Sequence, residues 1–64
     1  MTDLTLQDHG TIFLLRARTK AGTRWVLENV QVQNEYAGAI VVEPRYVDAL
    51  ADGAVADGLS VEVS

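Results

Sequence analysis

The absence of cysteine from a chain of 64 residues is the feature that most narrows how it can fold. A domain this short buries only about 60% of the surface its unfolded chain exposes, so it is marginal unless a staple or a partner assists. Without thiols, disulfides and thiolate zinc sites are excluded. A single histidine, His9, excludes a multi-histidine metal site within one chain. A dense apolar core must therefore carry the fold. Apolar residues make up 48% of the sequence, which is enough. The aromatic residues are only Phe13, Trp25, Tyr36 and Tyr46, so the expected core is aliphatic.

The chain should form a single domain, 1–64. Residues 3–7 alternate, with Leu4 and Leu6 on one side and Asp3, Thr5 and Gln7 on the other, as in a short amphipathic strand. Asp8-His9-Gly10 is a turn signal, with glycine free to take positive φ. Ile12 to Leu15 is apolar on both faces, as a central strand would be. Thr19 suits a helix N-cap. Over Lys20 to Val30, Ala21, Trp25, Leu27 and Val30 stand at roughly helical spacing, and Arg24 and Glu28 form a possible surface pair. Gly22 weakens that helix by up to about 1 kcal/mol. The β-branched Thr23, Val26, Val30 and Val32 keep a second strand open as the rival reading; the helix is preferred.

Gln31 to Gly38 is polar and reads as a loop, and Ala39 to Glu43 as a buried strand. Pro44 disfavours helix in the residue before it and suits the first helical position after it. The second helix is the clearest element: Val47, Leu50, Ala51, Ala54 and Val55 form an apolar stripe, opposite Arg45, Asp48 and Asp52. Gly53 is tolerable there if the helix packs closely, and Gly58 supplies the stop. Leu59 to Val63 alternates as an edge strand. The order β-β-α-β-α-β predicts an α+β two-layer sandwich, a small three- or four-stranded sheet packed against two helices.

Five Lys and Arg against nine Asp and Glu give a net charge of −4, which argues against direct nucleic-acid binding. The charge is unevenly spread. Residues 1–24 hold four bases (Arg16, Arg18, Lys20, Arg24) and two acids, whereas residues 25–64 hold seven acids and one base, Arg45. No motif for catalysis, for a cofactor or for a metal stands out. His9 lacks a recognisable partner and reads as a turn residue. Carboxylate pairs such as Asp48 with Asp52 read as a solvated helix face. The glycines form no phosphate-cradling motif. The basic residues up to Arg24 could meet phosphates or the chain's own acids.

The acids of the second helix are informative. Asp48 and Asp52 are like charges one turn apart, which is mildly destabilising. Asp52 and Asp57 fall toward the end of the helix, where the macrodipole favours cations. Stability alone would select differently, so the negative surface is read as a candidate partner-binding face, with Asp48, Asp52 and Asp57 first and then Glu43 and Glu28.

Two stretches also resemble a known group. They are His9-Gly10-Thr11-Ile12-Phe13-Leu14-Leu15-Arg16 with Thr19, Trp25 and Glu28, and Ala39-Ile40-Val41-Val42-Glu43-Pro44-Arg45-Tyr46-Val47 with Gly53 and Ala56-Asp57-Gly58-Leu59. Together they look like small acidic proteins of bacteriophages and prophages, in which the stretch around Trp25 is helical. The resemblance implies a mobile-element accessory protein, and such proteins include anti-CRISPR inhibitors and DNA mimics. It carries no functional residues over.

The expectation is thus a non-enzymatic inhibitor of a host defence system, without cofactor or metal. Its partner would be a host protein or ribonucleoprotein complex with a cationic DNA-binding groove. A self-associating phage module that docks through the Leu59 to Val63 edge is the alternative, although a monomer is expected ahead of a dimer. No apolar run approaches the length of a membrane span. The first residues lack a basic and an apolar signal region, so a cytoplasmic protein is expected.

Overall fold

The computed structural model describes residues 1–30, 35–36 and 38–64. Its elements are β1 (Leu4–Asp8), β2 (Phe13–Ala17), α1 (Lys20–Asn29), β3 (Glu35–Tyr36), β4 (Ala39–Val42), α2 (Pro44–Ala56) and β5 (Val61–Val63). They form a mixed sheet in the order β3-β4-β2-β1-β5, in which only β1 and β5 run parallel. The expected α+β class and element order are present. One element is additional: Glu35–Tyr36, read from its polarity as loop, pairs with Ile40 and Ala39 as a two-residue strand. The rest of that expected loop, 31–34 and 37, lies outside the described residues.

β1 and β2 form the hairpin that the Asp8-His9-Gly10 signal predicts. The Asp8 carboxylate accepts from Gly10 N at 2.7 Å, and Gly10 takes φ +87°. Pairing of Leu6 with Leu15 and of Leu15 with Ile40 puts all three on one face, with Leu4, Phe13, Val42 and Val61. Both helices pack on this face, α1 over β2 and α2 beside β5. Leu4, Leu6, Leu15, Val26, Val42, Val47 and Ala54 are its buried centre. The core is aliphatic, as the composition demands. Each large side chain fully withdrawn from water contributes roughly 1.5–3 kcal/mol.

The other face of the sheet carries Thr5, Gln7, Leu14, Arg16, Val41 and Glu62. Leu14 is as buried as Leu15. β2 thus buries apolar side chains on both of its faces, as a central strand does. Around Leu14 the face is polar: Arg16 reaches Gln7 Oε1 at 3.4 Å and Arg18 reaches Thr5 Oγ1 at 3.2 Å.

Residues 20–29 are helical, which resolves the rival strand reading. Thr19 is the N-cap, its Oγ1 accepting from Gly22 N at 3.1 Å. The buried face, however, is Gly22 and Val26, with Trp25 and Val30 half-buried; Ala21 and Leu27 face solvent. The reason is Gly22. A Cβ there would run into the Asp3 carbonyl oxygen, so the helix lies against the start of β1 and turns that side inward.

α2 starts at Pro44 and ends in a Schellman turn. Leu59 N donates to Ala54 O at 3.0 Å and Gly58 N to Val55 O at 2.9 Å, with Gly58 at φ +89°. Val47, Leu50, Ala51 and Ala54 face the core as predicted. Val55 does not: it is 58% exposed. On a helix of about 100° per residue it stands roughly 80° from Val47 and roughly 140° from Leu50, on the flank of the stripe away from its centre. Asp57 is the C-cap and stands outside the last helical turn.

Candidate functional site

α2 and its two caps present four acids, Glu43, Asp48, Asp52 and Asp57, against one base, Arg45. Within α1 the balance reverses, with Lys20 and Arg24 against Glu28. The charge asymmetry along the chain therefore becomes an asymmetry between two helices of one layer.

The five candidate acids are all exposed, but their surroundings differ. Asp48 and Asp52 lie one turn apart on the outward side of α2 and form no ion pair among the described residues. Glu43 holds Arg45 at 3.0 Å, the only ion pair among the described residues. The Arg45 guanidinium also sits 4.9 Å over the Tyr46 ring. Two exposed partners in water contribute at most about 1 kcal/mol. This contact tidies the entry to α2, where the Glu43 side chain makes no capping hydrogen bond.

Asp57 has a structural task that its sequence position did not disclose. Its Oδ2 accepts from Trp25 Nε1 at 2.7 Å and ties α1 to the end of α2. The reach across 32 positions is a product of the fold, so no local pattern signals it. Trp25 also lies against Gly53, where a Cβ would sit 3.7 Å from Cζ2. Glu28 and Asp57 share an open cleft of about 530 Å³ with Lys20, Arg24 and Trp25. Among the described residues the fold thus gathers the five acids into the helical layer in four settings: free on α2 (Asp48, Asp52), paired at its start (Glu43), tied down at its end (Asp57), and unpaired on α1 (Glu28).

The bases also have defined positions. Arg18, Lys20 and Arg24 border a hollow of about 430 Å³ with Ala17, Thr23 and Leu27. Neither these three nor Arg16 meets an acid of the chain among the described residues. Arg24 and Glu28, one turn apart, do not close an ion pair either. His9 is exposed in the β1–β2 turn, where its backbone N–H donates to Ile12 O at 2.9 Å.

Sequence reasoning missed Asp3. Its Oδ1 accepts from Thr19 Oγ1 at 2.5 Å and its Oδ2 from Ser60 N at 3.0 Å. Its backbone oxygen accepts from Arg18 N at 2.7 Å. One residue therefore joins β1, the cap of α1 and the approach to β5. The hydrogen bonds from Thr19 and then from Ser60 hold its carboxyl below the usual carboxylate range.

Among the described residues no cluster of three or more His, Asp or Glu could hold a metal ion. No described helix is long and apolar enough to cross a membrane. No protein-family model, curated protein or solved structure matches the chain.

Proposed function

We propose that the protein is a binding inhibitor of the anti-CRISPR kind, made by a phage or another mobile element and acting in the host cytoplasm. It docks the outward side of α2 on a cationic, DNA-handling surface of a host complex and keeps DNA away. The observation that carries this reading is the pair Asp48 and Asp52. Both are exposed, and neither has an ion-pair partner among the described residues. Their mutual repulsion opposes the helix they stand on.

Anionic side chains on a rigid helix attract a cationic groove over long range and compete with phosphate for the same cations. Four residues of helix advance about 6 Å, whereas phosphates on one DNA strand advance about 3.4 Å. The two acids therefore match charge and sign without reproducing a phosphate ladder. Glu43 at the start of α2 and Glu28 on α1 are secondary contacts, and Asp57 contributes mainly through Trp25.

The test is DNA binding by purified CRISPR–Cas effector complexes in the presence of the protein, followed by mobility shift at rising salt. Loss of DNA binding that weakens as salt rises is the expected result. Unaffected DNA binding across the effector types, or inhibition indifferent to salt, overturns the reading.

A further inference from the structure

The exposed side of α1 and the exposed side of α2 carry the same spacing with opposite charge. Lys20, Arg24 and Leu27 follow one another at four and then three residues. Asp48, Asp52 and Val55 do the same. Such intervals run along one stripe of a helix. All six side chains are exposed, Leu27 at 73% and Val55 at 58%. With Tyr46, these two are the large apolar side chains that the two helices leave open to solvent. Arg18 adds a third cation to the hollow that Lys20, Arg24 and Leu27 border. Among the described residues none of these cations or acids is in an ion pair.

We propose that this hollow is a docking site for the α2 stripe of a second copy of the chain. The two helices lie side by side and parallel, with Lys20 against Asp48, Arg24 against Asp52 and Leu27 against Val55. Only the parallel alignment matches all three. Reversing one helix would set Lys20 against Val55 and Leu27 against Asp48, which leaves a charge on an apolar group at both ends. Arg45, one turn before Asp48, is already held by Glu43 and does not disturb the register. The helices have 10 and 13 residues, about 15 and 20 Å of length, so the contact is smaller than a stable dimer requires. It is a transient, salt-sensitive association that forms when the chain is concentrated. It needs no host protein and does not rest on the proposed inhibition, but it covers the same Asp48 and Asp52.

Sedimentation equilibrium of the purified full chain tests it, from micromolar to millimolar, in low salt and at about 0.5 M salt, where screening is strong. The expected average mass rises above the 6.9 kDa of one chain at the highest concentration in low salt and returns to it in high salt. Lys20→Glu/Arg24→Glu and Asp48→Lys/Asp52→Lys, each shown to be folded by circular dichroism, should stay monomeric alone. Mixed in equal amounts they should associate again, because the charges are exchanged between the faces. A wild-type chain that stays at 6.9 kDa throughout overturns the proposal. So does a mixture that fails to associate, or a single variant that associates as the wild type does.

Discussion

Asp3 shows how much one polar side chain can organise in a domain without staples. Its carboxylate and carbonyl oxygen together hold the cap of α1, the end of β2 and the approach to β5. Its carboxyl is held low in the folded state by Thr19 and Ser60, so the charged form is the one the fold favours. That contribution is complete above the unfolded carboxyl value of about 3.9 and is lost as pH falls through the lower folded value. Urea midpoints measured down the acid range should therefore decline for the wild type and decline less for Asp3→Asn, which has no carboxyl to protonate at this position. Equal acid slopes in the two proteins would show that Asp3 does not set them.

Two helical glycines at the same residue scale have opposite roles. Gly22→Ala should cost about 1–3 kcal/mol, because the new Cβ meets backbone at Asp3 that cannot step aside. Gly53→Ala should add roughly 0.5–1 kcal/mol, because its Cβ finds ordinary contact with Trp25 and the helix loses a flexible residue. Chemical denaturation of both variants checks the pair. From sequence alone both glycines read as mild defects. Spacing reports a glycine's helix propensity and says nothing of what lies beside it in space.

At the scale of elements the sequence was most legible where a local signal sufficed. Thr19 capping α1, Pro44 opening α2 and Gly58 closing it are each settled within a few residues. It was least legible where an element's orientation depends on a neighbour distant in the chain. Ala21 and Leu27 were expected inward on α1 and turn outward because Gly22 seats that helix on β1. The edge strand β5 was readable too, and its three residues limit what it can do. Glu62 stands at its centre, so antiparallel pairing with a second β5 would bring like charges together, a common safeguard on edges. That counts against dimerisation through this strand.

α2 itself makes a further prediction. Asp52→Lys replaces repulsion of Asp48 by attraction in the favourable order and installs a better helix former. The variant should be more stable by roughly 0.5–1 kcal/mol, which is several degrees in melting temperature for a domain of this size. A lower melting temperature would mean that Asp52 serves the fold, and the case for a surface held for contact would lose its basis.

For the molecule as a whole, the uneven charge along the chain was plain in the sequence, and its placement was not. Arg16 went to the sheet and Arg18 to the connection between β2 and α1, Lys20 and Arg24 to one helix, and the acids of the second half mostly to the other. Among the described residues, of the five candidate acids, Asp48 and Asp52 are free on α2, Glu28 is unpaired but stands alone on α1, Glu43 is paired and Asp57 is engaged with Trp25. No local rule distinguishes these cases, because each depends on a partner that only the fold brings near. The functional reading therefore centres on Asp48 and Asp52, the two unpaired acids that share one side of α2. Transformation of a targeted plasmid into cells with active CRISPR–Cas interference, each expressing either the wild type or a folded Asp48→Lys/Asp52→Lys variant, tests it most directly. Transformation restored by the wild type and not by the variant is the predicted result; equal restoration by both would contradict it.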